Sequence, residues 1–325
     1  MTETATQTPI DRLAGPWQLL LAQSAQGSPF LLPQWQSAWW REWGGEATAA
    51  LLTVEDKGAL IGLAPLAVRP GVCSLVGSSD LCDYVDFIAA RGQEGPFFAA
   101  LLPQLQSLSW QTLQLEPVRE DSLALTHFVP LARAQGWEVE VAPDTVSPWL
   151  ELPATWEGYL EGLHKKDRHE LRRKLRRLLE AADIRACVVS DVQGTGARLD
   201  EFLALMGESR PDKAEFITPA RARFFREVVQ AMAEAGLARL WFLEYQGRPV
   251  ATVLCFDFQG TRYLYNSGFD RAYSHLSVGL ALKALTIRDA IESGLRRYDF
   301  LRGNEPYKYD LGGRDHAIYR CTVRR

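Results

Sequence analysis

The sequence predicts an α/β fold arranged as two lobes, and three observations support this prediction. Its 325 residues exceed the size of one average domain and suit two. Strand-like runs alternate with helix-like runs, which is typical of α/β proteins. The dipeptides Gln246-Gly247 and Gln259-Gly260 separate consecutive strand-like runs, and glycine tolerates the positive φ that a hairpin turn requires.

The first lobe begins with helix-like segments, and Pro33 stands where a first helical turn accepts proline. The turn signal Asp56-Lys57-Gly58 joins two strand-like runs. The elements expected in this lobe are strands at 49–54, 59–68, 72–76 and 84–89, a helix at 95–108, a strand at 111–116, a helix at 121–135 and a strand at 137–142. Prolines and a polar tract between Pro143 and Pro153 then interrupt the pattern, so we expect lobes at residues 1–146 and 147–325.

The second lobe has the clearer pattern. Its expected elements are helices at 153–162 and 165–181, a strand at 184–189, helices at 197–208 and 219–235, and a meander of strands at 239–245, 248–258 and 261–267. An apolar helix at about 277–293 follows, and Gly294 stands where a left-handed C-terminal cap belongs. A short strand, Arg297 to Leu301, and a polar loop to Tyr307-Lys308 come next.

Composition and motifs exclude several classes of function. No apolar run reaches the roughly 20 residues of a membrane span, and the N-terminal residues lack the basic and apolar regions of a signal peptide. The five cysteines are scattered, without CxxC or a Cys/His cluster, so we expect neither a disulfide framework nor a metal site. The motifs GxSxG and HExxH, the Walker lysine loop and a complete dinucleotide fingerprint are also absent. These features favour a cytoplasmic location.

Charge is distributed unevenly along the chain. The formal net charge of −4 combines −9 in residues 1–150 with +5 in residues 151–325. Residues 164–179 alone hold eight Lys or Arg, and leucines at helical spacing give this segment one buried stripe and a basic face. Such a face is usually only solvated, and the alternative is an anion-binding role for a substrate phosphate, tRNA or an acidic glycan.

Two segments carry a resemblance to a known family: Tyr273–Gly279, which reads YSHLSVG, and Tyr298–Lys308, which reads YDFLRGNEPYK. With the order of elements, and with weaker similarity at residues 147–153 and 75–86, the chain resembles the CelD-like, Fem-related branch of the GNAT acyltransferases. The resemblance implies two tandem GNAT-like lobes, each a mixed sheet flanked by helices. It also implies the transfer of an acyl group, usually to an amine.

The resemblance implies a donor site at the start of the apolar helix. Ordinary GNAT proteins hold the coenzyme A pyrophosphate with Gln/Arg-x-x-Gly-x-Gly/Ala, and the three fixed positions fall here on Ser274, Ser277 and Gly279. Only the last glycine is kept. Ser277 can still cap the helix and leave the amides of Val278 and Gly279 available to an anion. The implied co-substrate is therefore acetyl-CoA or another acyl-CoA.

Tyr265 and Asn266 end the third strand of the meander, opposite this helix start. In GNAT geometry the two neighbouring strands splay at this point and admit the pantetheine arm. The resemblance therefore implies that both residues contact the donor. For Tyr265 a place in the core is the alternative.

Tyr307-Lys308 matches the aromatic-Lys motif of Fem-like enzymes, so the resemblance implies that this pair contacts the substrate. Acyl transfer builds negative charge on a carbonyl oxygen, and a lysine beside that oxygen would lower the barrier. Glu305 and Asp83 are the carboxylates expected to accept a proton from the attacking amine. Asp299 ends a buried strand, where an ion pair with Arg302 is as good an interpretation as contact with substrate.

The acceptor is expected at the first lobe. Asp83, Tyr84 and Asp86 lie in one loop whose carboxylates suit a cationic amine, and local capping of backbone amides is the alternative. Arg168 matches a recurrent basic position beside the cleft of the family. The family points to a small molecule, glycan or peptide amine, such as a cell-envelope or exopolysaccharide precursor.

Two other functions remain open at this point. One is a Fem-like transferase that uses aminoacyl-tRNA, although the long helical hairpin of some Fem enzymes has no counterpart in the pattern. The other is a non-catalytic binding protein that retains the fold without the donor motif. The sequence does not fix the acyl chain length, the acceptor or the oligomeric state.

Overall fold

The computed structural model describes residues 8–77, 80–181 and 183–325. The α-helices are α1 (Ala14–Gln23), α2 (Pro33–Trp43), α3 (Glu94–Ser107), α4 (Val129–Ala134), α5 (Trp156–Gly162), α6 (Lys165–Glu180), α7 (Val192–Ser209), α8 (Pro211–Phe216), α9 (Pro219–Glu234), α10 (Val278–Glu292) and α11 (Pro306–Asp310). The strands are β1 (Thr48–Asp56), β2 (Ala59–Arg69), β3 (Val72–Leu75), β4 (Ile88–Ala89), β5 (Thr112–Arg119), β6 (Glu138–Val146), β7 (Trp149–Glu151), β8 (Ile184–Val189), β9 (Ala238–Tyr245), β10 (Arg248–Phe258), β11 (Thr261–Phe269), β12 (Arg297–Asp299) and β13 (Ala317–Arg324).

The chain divides into two compact units. The described residues up to Val146, together with His316–Arg325, form unit 1, and Ser147–Asp315 form unit 2. The last ten residues, which we expected in the second lobe, therefore belong to unit 1. They do so because β13 lies between β5 and β6, antiparallel to both, and buries Ile318, Cys321 and Val323.

Unit 1 contains a mixed sheet in the order β1-β2-β3-β5-β13-β6, with β4 paired to β2. The pair β3–β5 is parallel and the other pairs are antiparallel. The predicted strand at 84–89 is reduced to Ile88–Ala89. The predicted helix at 121–135 is divided into a π-helical turn, Ala124–Phe128, and α4.

Unit 2 contains a second mixed sheet in the order β7-β12-β11-β10-β9-β8, in which only β11–β12 is parallel among the described pairs. Successive residues of a strand point to opposite faces. On one face, α5, α6 and α10 pack against buried residues such as Val253 and Cys255. On the other face, α7 and α9 pack, and Phe225 of α9 contacts the ring of Tyr265. The prediction of two mixed sheets flanked by helices is confirmed.

The turns of the meander have the predicted conformation. Gln246 and Gly247 have φ of 51° and 74°, and Gln259 and Gly260 have φ of 48° and 80°, so each hairpin turn has two consecutive left-handed residues. Gly294 follows α10 with φ of 73°, and the next amide, of Leu295, bonds the carbonyl of Ala290, as in a left-handed helix cap.

A membrane-spanning helix is not present in the described ranges, since none of the helices there combines sufficient length with sufficient hydropathy.

Candidate active site

The edge between β11 and β12 opens partway along the two strands. Their parallel pairing covers three positions and ends at Tyr263 opposite Asp299. Beyond this point β11 contains a β-bulge, because Leu254 of β10 pairs with Asn266 whereas the next residue pairs with Leu264. Tyr265 is the extra residue of the bulge. A bulge bends its strand and increases the local twist. Because β12 ends at Asp299, Tyr265 and Asn266 lie beyond its pairing with β11, and we call this position the opening. The family resemblance implies a donor arm at this point. The ring of Tyr265 contacts the rings of Phe225 and Phe256, as its core alternative expects, and the donor roles of Tyr265 and Asn266 stay predictions.

The N-terminus of α10 lies after this opening in the chain. Ser277 occupies the position before the helix with a left-handed backbone, φ 57° and ψ 34°, and its side chain makes no capping hydrogen bond. The expectation that the Ser277 side chain caps the helix is therefore wrong. A left-handed backbone is the conformation in which glycine is favoured, so the serine adopts the backbone expected of the glycine in the GNAT motif.

The first turn of α10 leaves backbone donors available. The amide of Ala281 bonds the carbonyl of Ser277 at 3.0 Å. In an α-helix the three preceding amides, here of Val278, Gly279 and Leu280, have no intrahelical acceptor. The side chain of Val278 is buried in the core, and a Cβ on Gly279 would lie 3.0 Å from the ring of Phe269. These residues fit an anionic ligand through their backbone amides alone.

Lys308 is buried, with 2% of its surface exposed. Its Nζ donates hydrogen bonds to the carbonyl oxygens of Leu301, Arg302 and Gly303 at 2.8, 2.7 and 3.0 Å, and it lies 3.0 Å from a carboxylate oxygen of Glu305. An ammonium has three protons, and three carbonyls use them. This geometry corrects the expectation that the Lys308 ammonium is directed at a substrate carbonyl. The ammonium instead fixes the path of the loop before α11.

The neighbours of Lys308 are partly buried. Burial raises the pKa of the Glu305 carboxyl, but the Lys308 ammonium more than offsets this effect and the pKa is lowered. Gly303, with φ 108°, leaves room for this carboxylate, since a Cβ there would lie 2.6 Å from a Glu305 oxygen. The ring of Tyr307 packs edge-on to Phe300, and burial raises the pKa of its phenol.

Asp299 faces inward. Its carboxylate, 2% exposed, accepts hydrogen bonds from the amide of Leu301 at 2.8 Å and from the hydroxyl of Ser147 at 3.3 Å. Leu301 has φ of 60°, so the carboxylate supports a left-handed turn. The suggested contact between Asp299 and a substrate is replaced by this backbone role, because the observed oxygen partners lie within the fold.

Two lysines near the opening were not among the predicted site residues. Lys283 of α10 is 7% exposed, and its Nζ lies 3.4 Å from the carbonyl of Gly279 and 4.7 Å from the centre of the Tyr307 ring. Lys213 of α8 donates from Nζ to the side-chain oxygen of Asn266 at 2.8 Å and to the carbonyl of Ser267 at 2.6 Å. A signal for Lys283 exists in the sequence, since it is the one cation in the apolar run from Val278 to Ile287.

The surroundings of both lysines disfavour the charged form. Burial lowers the pKa of Lys283 to about 7, and repulsion from the Lys213 ammonium contributes. Burial also lowers the pKa of Lys213 to about 8, and repulsion from Arg210 contributes. The Lys213 ammonium of α8 therefore acts electrostatically on Lys283 of α10.

The basic face of α6 is partly paired within unit 2. Leu171 and Leu178 are buried, as the leucine stripe predicted. Arg168 donates to the carbonyl of Glu161 at 3.2 Å, whereas Arg177 donates to the carbonyl of His275 at 3.1 Å. Arg177 therefore lies beside the turn that leads into α10. The substrate role of Arg168 stays a prediction.

In unit 1, the predicted acceptor residues have structural contacts. Asp86 is buried and accepts hydrogen bonds from the amides of Phe87, Leu123 and Ala124 at 2.9, 2.7 and 2.9 Å. Burial raises its pKa to about 7 although the three amides oppose the shift. This is the capping alternative, and it corrects the expectation that Asp86 binds a cationic acceptor.

Tyr84 is also buried, and the Arg119 guanidinium lies 5.4 Å from the centre of its ring. Tyr84 and Asp86 line a recess of about 20 Å³ with Ser28 and Arg119. Asp83 is half-buried. The roles of Tyr84 and Asp83 stay predictions.

Unit 2 therefore brings together the opening at Tyr265 and Asn266, the two lysines, and the loop that carries Glu305 and Tyr307. No group of three or more His, Cys, Asp or Glu in the described part of the chain could hold a metal ion.

Comparisons with known proteins agree with this architecture. Residues 165–309 match a family model described as an acetyltransferase (GNAT) domain. No curated protein matches the sequence. The matched residues include the opening, α10 and the loop up to α11, so this part of unit 2 is similar in sequence to a GNAT acetyltransferase domain.

Several solved structures share the fold over almost the whole chain. FemX has a TM-score of 0.66 at 12% identity, covering 98% of this chain and 96% of that one. The C-terminal domain of a putative lysylphosphatidylglycerol synthetase from Agrobacterium fabrum has a TM-score of 0.61 at 9% identity, with 96% and 92% covered. The L-PGS structure from Bacillus licheniformis has a TM-score of 0.59 at 10% identity, with 94% and 90% covered. At these identities the similarity concerns the fold.

Proposed function

We propose that this protein is an N-acyltransferase of the CelD-like, Fem-related branch that moves an acyl group from an acyl-CoA thioester to an amine. The observation that carries the proposal is the opening between β11 and β12 next to a helix N-terminus, inside the segment that matches the GNAT acetyltransferase domain. An extended thioester arm requires such a gap in a sheet, and a phosphate requires the free amides beside it.

Each residue group of the site has a proposed role. The amides of Val278 and Gly279 would hold a phosphate of the donor, with Ser277 setting the entry to the helix. Tyr265 and Asn266 would border the arm. Transfer requires the amine nitrogen to bond the thioester carbonyl carbon while the carbon–sulfur bond breaks, and the nitrogen must lose a proton.

Glu305 and Asp83 are the proposed acceptors of that proton, which then passes to the departing sulfur, so that coenzyme A leaves as its thiol. Lys308 is assigned a positioning role, because its three hydrogen bonds hold the Leu301–Gly303 backbone and its charge holds Glu305. Tyr307 forms an aromatic wall beside Lys283. A cell-envelope or exopolysaccharide precursor amine is the proposed acceptor.

The experiment is calorimetry and thermal unfolding with acetyl-CoA and longer acyl-CoAs, followed by detection of released thiol with amine acceptors. We expect binding heat and a higher Tm, because a ligand that binds only the folded state stabilises it. Arg177→Glu should weaken acetyl-CoA binding several-fold, since Arg177 lies beside the turn into α10. The matched control is Arg176→Glu on the same helix, whose partner is Glu180. Binding that is absent, or equal in both variants, would contradict the proposal.

A second donor, aminoacyl-tRNA, is favoured by one observation. The basic face of α6 is exposed at Lys165 and Lys166. It continues along the helix to Arg177, which bonds the carbonyl of His275 just before α10. A polyanion longer than coenzyme A could follow this face. RNA that copurifies, with a salt-sensitive complex, would support this donor. Folded protein that binds neither donor would leave the non-catalytic binding protein as the function.

A further inference from the structure

We infer that Lys283 and Lys213 form a subsite for an anionic oxygen group, a carboxylate or a phosphate, of the ligand that enters the opening between β11 and β12. This subsite is distinct from the helix N-terminus, because it uses side chains of α10 and α8 rather than backbone amides. It rests on the proposed function only for the identity of the whole ligand. The binding of the anion itself can be measured without turnover.

The first step in the argument is the lack of counter-charge. Within residues 8–77, 80–181 and 183–325, neither Lys283 nor Lys213 has a carboxylate oxygen within 4.0 Å of its Nζ. Lysine is almost never fully buried unless it is paired. The Lys283 ammonium has one long contact to a carbonyl, at 3.4 Å, and a ring face for its three donors. Its remaining hydrogen-bonding capacity is available to a ligand.

The second step concerns the charges nearby. The groups that act on Lys283 are Lys213 of α8, Cys255 of β10, and Glu305 and Lys308 around α11. Glu305, the carboxylate among them, is engaged by Lys308 at 3.0 Å. Asp212, which acts on Lys213, is engaged by Arg210 at 2.8 Å. Each of the two carboxylates is thus shared with another cation, so Lys213 and Lys283 are only partly compensated and their pKa values stay lowered.

The third step is placement. Lys213 bonds Asn266, the residue that follows the bulge, and Lys283 lies over the ring of Tyr307. The charge of Lys213 repels a charge on Lys283 and contributes to the lowered pKa of Lys283. An anion bound between them would neutralise the repulsion and restore the protonated form of each lysine. Binding at pH 7.5 should therefore take up protons from solution.

The test uses the full chain with inorganic phosphate and, separately, succinate as probes. Titration calorimetry at pH 7.5 in two buffers of different ionisation enthalpy measures affinity and proton uptake. We expect binding with proton uptake, and the tighter probe identifies the anion as phosphate-like or carboxylate-like. Lys283→Met and Lys213→Met keep the apolar stem and remove the charge, and each should weaken binding at least tenfold and reduce the uptake. Lys166→Met, an exposed cation of α6, is the matched control and should change neither.

Several results would overturn the inference: no binding of either probe, binding without proton uptake, or equal binding in the control and both lysine variants. If one lysine variant fails to fold, the other decides the result. If the wild-type protein binds the anion probes but no acyl-CoA, the proposed function is refuted and the subsite is not. If the wild-type protein binds acyl-CoA but neither anion probe, the subsite alone is refuted.

Discussion

The surroundings of two buried cations near α10 shift their pKa values in opposite directions. Arg262 of β11 is fully buried and bonds Asp257 and Asp289, each at 2.7 Å, together with the carbonyl of Thr286 at 2.9 Å. Burial lowers its pKa, but the hydrogen bonds and charges of Asp257 and Asp289, with Cys255, together more than offset this and the pKa is raised. Lys283, one turn before Thr286, has no such carboxylates, and its pKa is lowered. Arg262 is held by carboxylates of the fold itself, whereas Lys283 lacks a close carboxylate and can accept an anionic ligand.

The largest expected effect tests the compensated cation. Arg262→Met should destabilise the protein by about 3 kcal/mol, because the largely buried Asp257 loses its closer cation and keeps only Arg239 at 3.2 Å. Urea unfolding at pH 7 measures the loss. Arg288→Met is the control, since its pair with Glu292 is exposed and contributes less than about 0.5 kcal/mol. Equal losses in the two variants would contradict the structural role of Arg262.

A second comparison separates two buried lysines of the same unit. Lys308→Met should cost about 2–4 kcal/mol of unfolding free energy, because three carbonyls of the Leu301–Gly303 loop would lose their donor. Lys283→Met should leave stability at pH 7 unchanged or higher, since it removes a buried charge without a counter-ion. Denaturant unfolding of both variants decides the matter. A large loss in Lys283→Met would mean that its ammonium supports the fold and would weaken the ligand argument.

The sequence predicted the parts of this comparison that depend on local rules. The left-handed residues at Gln246-Gly247 and Gln259-Gly260, the cap at Gly294 and the burial of Leu171 and Leu178 in α6 follow from backbone sterics and helical spacing, and these are observed. The order of the strands of the meander, α10 and the short strand after it was also predicted, because each has its own local pattern.

Long-range partners could not be predicted in the same way. Asp86 accepts amides from residues 37 and 38 positions away, and Lys308 bonds carbonyls whose direction depends on the left-handed turn at Leu301. The strand β13 joins a sheet formed by much earlier residues. Each contact depends on the path of a loop or on a distant pairing, so a local pattern such as Asp-Tyr-Val-Asp resembled a binding site.

The pH dependence of stability provides a third test. The pKa of Lys283 is about 7 in the folded protein and near 10.5 when unfolded, so the unfolded chain binds more protons between these values. Stability should therefore rise with pH in this window. Between pH 7 and 9 the wild type should gain about 2 kcal/mol relative to Lys283→Met, by linkage at about 1.4 kcal/mol per pKa unit. Parallel unfolding curves for the two proteins across this range would show that Lys283 stays charged when folded.

The smallest expected effect concerns Ser277 at the entrance to α10. Its φ of 57° is strained for a residue with a Cβ and relaxed for glycine, and its side chain makes no capping bond that the substitution would remove. Ser277→Gly should therefore raise the unfolding free energy by up to about 1 kcal/mol. The matched control is Ser274→Gly in the preceding 3₁₀ turn Arg271–Leu276. Ser274 has no left-handed backbone, and its hydroxyl bonds the carbonyl of Arg271. This substitution should therefore lower the unfolding free energy by about 0.5–1 kcal/mol. Thermal unfolding of both variants measures the two signs. If both glycines destabilise equally, the left-handed entry is not a feature of the folded protein, and the argument that Ser277 adopts the backbone of a phosphate-loop glycine fails with it.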